Sequence, residues 1–146
     1  MNNFSLGLVF MFSMLYITPA LALSSAQLDA LIPTIIAAES SGNPKAVGDG
    51  GKARGLCQIQ KSTWERFSNY SWDYAFDSEK NVHVGRHILE YINDKYLKNS
   101  PKQADMAHII FSYNTGRYRF GDIPLLIKNH PNKIYRSIFK EYRNGL

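Results

Sequence analysis

One acid stands where an acid is costly. The apolar run Leu31–Ala38 ends abruptly in Glu39, and a polar turn, Ser40-Ser41-Gly42-Asn43-Pro44, follows at once. A carboxyl group packed against Leu, Ile and Ala loses hydration, and at a helix C-terminus the dipole further disfavours the anion. Both effects favour a carboxylic acid that keeps its proton near neutral pH, the property that a general acid in glycoside cleavage needs. Taken alone, Glu39 reads better as a solvated glutamate at a helix end, as most surface acids do nothing. Its neighbours reverse that reading. A loop carrying Gly48, Gly50, Gly51 and Gly55 closes on Leu56-Cys57-Gln58-Ile59, apolar residues around one amide. A third polar knot, Tyr113-Asn114-Thr115-Gly116, ends a later helical pattern. The three knots supply an acid, a phenol and two amides. Amides bond N-acetyl and hydroxyl groups of sugars, and a phenol can orient a carboxyl. Structural alternatives stay open: Gln58 as a loop-satisfying amide, Tyr113 as a half-buried core phenol, and Asn81 as a helix-start residue as readily as a glycan contact.

Helices must position these knots. Ser24 with Gln27 makes a capping box, and Leu28, Leu31, Ile32, Ile35 and Ile36 follow at helical spacing up to Glu39. Pro33 either kinks that helix or begins a fresh one. Ser62 is expected to cap a short helix through Trp64 and Phe67. Asp77 or Ser78 opens the next, with Val82, Gly85, Ile88, Leu89 and Ile92 inward, ending near Lys98. Gly85 suits a close helix–helix approach. After Pro101 a helix runs from Lys102 to about Tyr113, with Ala104, Ala107, His108 and Phe111 as its stripe. The last, Lys133 to Tyr142, puts Ile134, Ser137, Ile138 and Tyr142 on one face. A short ribbon around Ala46–Ile59 is the one strand candidate.

Composition narrows the class. The 146 residues suit one domain, and 45% hydrophobic residues allow a real core. Nine Tyr and eight Phe suit a sugar-binding cleft, because ring faces stack on pyranoses. The net charge of +5 implies an anionic partner: nucleic acid, a membrane surface or an acidic glycan polymer. The charges are scattered, which argues against nucleic acid. The single Cys57 excludes an internal disulfide and reads as a buried, inert thiol. His83, His87, His108 and His130 form no metal-ligand pattern, and no metal or cofactor is expected. Residues 1–22 read as a secretory signal peptide, with an uncharged apolar run, Phe4–Ile17, and an Ala20-Leu21-Ala22 cleavage signal. The n-region lacks Lys and Arg, so an uncleaved anchor is the alternative, although the run is short for a span. The expectation is export to the periplasm and a mature domain of residues 23–146.

In these pieces the chain resembles the lytic transglycosylase catalytic domain of the SLT type, which shares its fold with goose-type lysozyme. The matching stretches are ESSGNPKAV at Glu39–Val47, GLCQI at Gly55–Ile59, NVHVG at Asn81–Gly85 and SYNTG at Ser112–Gly116. Each is weak alone; all four in order, behind a signal peptide, are a strong signal. The resemblance covers about Leu28 to Gly116 and fades beyond. It implies a mainly α (at most α+β), lysozyme-like domain with a small loop or β-ribbon region flanking the cleft. It implies Glu39 as catalytic acid/base and Ser40, Gln58, Tyr113 and Asn114 as substrate-binding residues, with Tyr113 orienting the Glu39 carboxyl and Asn114 holding the glycan. Cys57 stands where the family has Met, and Ser112 where it has Ala. The implied partner is a peptidoglycan strand, cut by a monomer between N-acetylmuramic acid and N-acetylglucosamine to give a 1,6-anhydro end. Two rival readings remain: a muramidase of the same fold in which Asp49 activates water, and a catalytically silent wall-binding subunit of a secretion, conjugation or phage-entry apparatus.

Overall fold

The computed structural model describes residues 23–99, 106–115 and 132–137. The expected signal peptide lies outside them. Helix α1, Ser25–Glu39, starts from the capping box: the Ser24 side chain accepts from the Gln27 N–H, and the Gln27 side chain accepts from the Ser24 N–H. Pro33 lies inside this one helix, on its exposed side, where its ring faces solvent. The buried stripe is Leu28, Leu31, Ile32 and Ile35, four of the five positions that the helical spacing predicts.

A three-stranded antiparallel ribbon follows, with β1 Val47–Gly48, β2 Ala53–Arg54 and β3 Ile59–Gln60 in that spatial order. Val47 pairs with Arg54, and Arg54 in turn with Ile59. Helix α2, Lys61–Phe67, begins directly after β3. Its N-cap is Gln60, not the expected Ser62, because strand pairing carries the chain extended up to Gln60 and the helix starts at the next residue. The aromatic stretch after it holds a 3-10 turn, Trp72–Phe76.

Helix α3, Ser78–Asn99, is the spine; α1, α2, α4 (Met106–Thr115) and the 3-10 turn all pack on it. Asp77 precedes it and accepts from the Lys80 N–H at 2.9 Å. Its inner face buries Val84, Ile88, Leu89 and Ile92 against Ile35, Trp64 and Ile109. Arg86 ties α3 to α1 through Asp29 at 2.5 Å. Among the described side chains of α4, Ile109, Ile110 and Ser112 are buried; the stripe expected at Ala104, Ala107, His108 and Phe111 falls on positions and side chains outside the described ones. Residues 133–137 form a short helix, α5. Its buried side chain is Tyr135, whereas Ser137 is exposed, so the face expected from Ile134 and Ser137 is not the one turned inward. Tyr135 turns inward, where its hydroxyl bonds the half-buried Glu39 carboxyl. Ile138 and Tyr142 lie outside the described residues.

The first described residue is also anchored. Leu23 is buried, and its N–H donates to Asn93 Oδ1 at 3.1 Å while Asn93 Nδ2 donates to its carbonyl at 3.0 Å. The fold is mainly α and lysozyme-like, with the ribbon beside the cleft.

Candidate active site

The end of α1 delivers the acid. Ser40 closes the helix: its N–H and its hydroxyl both donate to the Ile36 carbonyl at 3.1 Å. Ser41 and Gly42 then take positive φ, 53° and 81°, and reverse the chain away from the acid. Glu39 is thereby left half-buried on the wall of a cleft of about 560 Å³. Asp49, Gln58, Gln60, Tyr113 and Asn114 line the same cleft. The fold brings Gln58, Tyr113 and Asn114, which the sequence singles out, to one groove with Glu39. Ser40 has its hydroxyl on the helix end instead.

Two donors converge on one oxygen of the acid. The Tyr135 hydroxyl donates to Glu39 Oε1, and Asn114 Nδ2 reaches the same atom at 3.4 Å. Asn132, at the start of α5, donates to the Ala38 carbonyl at 2.8 Å and accepts from the Ile134 N–H at 2.9 Å. One residue therefore caps α5 and fastens it to the last turn of α1. Burial, then the charge of Glu39 and the bond to it, push the Tyr135 phenol far up. The phenol keeps its proton across the physiological range and stays a donor to the carboxylate.

Tyr113 has a different partner from the one the resemblance implies. Its hydroxyl donates to the Cys57 carbonyl at 3.0 Å, so it braces the glutamine loop; the phenol bonded to Glu39 is Tyr135. Burial raises the Tyr113 phenol well above its ordinary value as well, with the charges of Cys57 and Glu39 adding. Gly85 makes room for this arrangement. A Cβ there would lie 2.9 Å from Cys57 Sγ and 3.6 Å from the Tyr113 hydroxyl, so the close approach is to the loop and to Tyr113 rather than between helix backbones. Cys57 is fully buried, and burial pushes its thiol up to about 12. An inert thiol is what the sequence reading expects.

The loop holding Gln58 is built by amides. Asn81 is fully buried; it accepts from the Cys57 N–H at 2.8 Å and donates to the carbonyls of Ala75 at 2.7 Å and Arg54 at 3.1 Å. It is a pin for the loop, not a glycan contact. Gly55, at φ 79°, passes so close that a Cβ would overlap Ala75 O and Asn81 Nδ2. Gln58 itself has φ 47°, and its Nε2 donates to Gly55 O at 2.9 Å and Ala46 O at 3.1 Å. Its NH₂ thus satisfies the loop, and its Oε1 rests against Gly48, where a Cβ would overlap it. Asp49, at φ 50°, accepts from Gln60 Nε2 at 2.6 Å. Non-glycine residues in the left-handed region cost energy and gather where a site over-determines them; Ser41, Asp49 and Gln58 lie at or beside this cleft.

The cleft brings carboxyl groups, amides and a phenol together on a lysozyme-like scaffold. Residues 20–124 match the transglycosylase SLT domain, and the chain belongs to that family. Its class of activity is the lytic transglycosylase type, its substrate class is peptidoglycan, and its place of action is outside the cytoplasm. No curated protein and no solved structure gives a significant match. Asn132 and Tyr135 lie beyond the matched segment. The sequence reading missed both, since the resemblance fades before them and their partners are far off in the chain. Among the described residues, no group of three or more His, Cys, Asp or Glu side chains is placed to hold a metal ion, and no helix is long and apolar enough to cross a membrane.

Proposed function

We propose that the protein cleaves the β-1,4 bond between N-acetylmuramic acid and N-acetylglucosamine with Glu39 as its single general acid and base. The observation that carries this reading is the Glu39 carboxyl at the cleft wall, with Tyr135 and Asn114 both directed at its Oε1. Glu39 gives its proton to the leaving oxygen. The substrate's own N-acetyl oxygen meets the oxocarbenium-like centre. Glu39, now a base, takes the proton of the C6 hydroxyl as that oxygen attacks C1. A 1,6-anhydro ring forms, and no water is consumed. Asn114 and the Gln58 carbonyl oxygen contact the glycan, while Ser40 and Tyr113 act by holding the helix end and the loop. Residues 1–22 serve as the export signal.

One observation favours a second reading. Asp49 lines the same cleft, and a second carboxylate is what a water-using glycosidase requires. Glu39→Gln keeps the size of the side chain and removes the transferable proton. It is expected to abolish release of anhydromuropeptides, a loss at or beyond the upper end of the ~10²–10⁴-fold worth of acid–base help, with folding and glycan binding retained. Asp49→Asn is expected to be far milder. If Asp49→Asn is as damaging at unchanged stability, and products carry reducing ends by mass spectrometry, the muramidase reading replaces this one.

A further inference from the structure

A second pocket, of about 500 Å³, opens beside the cleft, and Gln60 lines both. Its chemistry differs from the cleft's. Lys52 enters from the turn before β2, Lys61 from the first residue of α2, and Trp72 from the 3-10 turn. The indole is a fixed wall: the Arg54 guanidinium lies 4.8 Å from its ring centroid, and Trp64 meets it edge-on at 5.9 Å. Among the described residues, the one carboxylate lining the pocket is Glu65, 3.7 Å from Lys61, with these side chains 59% and 60% exposed. A pair so solvated is weak and readily exchanged. Asp49, on the cleft side of Gln60, is already bonded to the Gln60 amide. The pocket thus offers two ammonium groups against one carboxylate, beside a flat apolar wall.

We propose that this pocket receives the acidic peptide stem of the strand whose glycan lies in the cleft. The proposal rests on the peptidoglycan reading of the site. A stem is a short peptide with several carboxylates, set at a fixed distance from the sugar that bears it. Lys52 and Lys61 pair with the carboxylates, and Trp72 packs on the peptide planes between them. The enzyme therefore distinguishes stem-bearing strands from bare glycan.

Binding is tested apart from cleavage. Isotope-labelled Glu39→Gln protein is titrated with a free stem tetrapeptide, following the Trp72 indole N–H and the Lys52 and Lys61 amides by NMR. Saturable shifts are expected there, weakened by salt and by about three- to tenfold in affinity in the double variant Lys52→Glu/Lys61→Glu. No shifts at these groups, or an affinity unchanged in the double variant, overturns the stem site. In parallel, otherwise wild-type enzyme with and without the double substitution is given intact strands and strands stripped of stems by an amidase. A fall in kcat/KM confined to intact strands supports the stem site. An equal fall on both substrates means the pocket holds sugar and overturns it. If wild-type protein cleaves neither substrate, the catalytic reading of the cleft fails, and the peptide titration alone decides the stem site.

Discussion

Asn81 accepts the Cys57 amide hydrogen at 2.8 Å, from a position 24 residues further along the chain, so a side chain of α3 holds the backbone of the Gln58 loop. Replacing it leaves the buried Cys57 N–H and Ala75 carbonyl, and the half-buried Arg54 carbonyl, without this partner. Asn81→Leu is expected to cost about 3 kcal/mol, seen as a lower urea midpoint at unchanged m value. A midpoint equal to wild type would show that the loop holds itself.

The two phenols separate by their partners. Tyr135→Phe removes a donor to the acid and is expected to lower turnover about 10- to 100-fold, the worth of a hydrogen bond to a charged group. Tyr113→Phe releases the Cys57 carbonyl and is expected to lower stability by about 1 kcal/mol with a smaller effect on turnover. Release of muropeptides and thermal melts on both variants check the assignment. The reverse pattern would return Tyr113 to the role that the resemblance gave it.

Alkali should loosen the fold through Cys57. Its thiol is held up to about 12 from an ordinary 9.0, so between those values the folded state binds more protons than the unfolded one. The contribution is whole below pH 9 and is lost as pH rises through the window, by up to about 1.4 kcal/mol per pH unit. Tyr113 and Tyr135 are raised in the same direction and add to the loss. Cys57→Ala lacks the thiol's share. The stability gap between wild type and this variant, from urea melts at pH 8.5 and 10.5, is expected to shrink. A constant gap would mean that the folded thiol ionises as readily as the unfolded one.

Cleavage after Ala22 would make Leu23 the first residue, and its new amine would be the group that donates to Asn93 Oδ1. N-terminal sequencing of exported protein is expected to begin at Leu23. Deleting Leu23 removes a buried side chain and the bonds to Asn93, and should lower stability by about 2–4 kcal/mol. A membrane-bound chain that still carries Met1 would instead support an anchor.

What the sequence could show depended on how local the cause was. The capping box at Ser24, the buried stripe of α1 and the stop after Glu39 are set within a few residues, and they stand as expected. The short ribbon was foreshadowed by its glycines. The α2 start was misplaced because a serine looks like a cap, whereas strand pairing at Gln60 set the boundary. Asn81 reads locally as a helix-start residue; only the folded loop shows three backbone groups meeting its amide. Tyr135 was hidden for the same reason: helical spacing ranks the apolar Ile134 above it, and nothing near it in sequence announces a carboxylate.

Glu39 and its phenol stand 96 positions apart, and Ala38 and Asn132 stand 94 apart. Contacts of such separation close late, because the entropy of a long loop opposes them until the rest of the core has formed. A chain still being synthesised presents its acid long before the tyrosine that fixes it. The core can thus consolidate first, and the acid gains its partner only after residue 135 has been made.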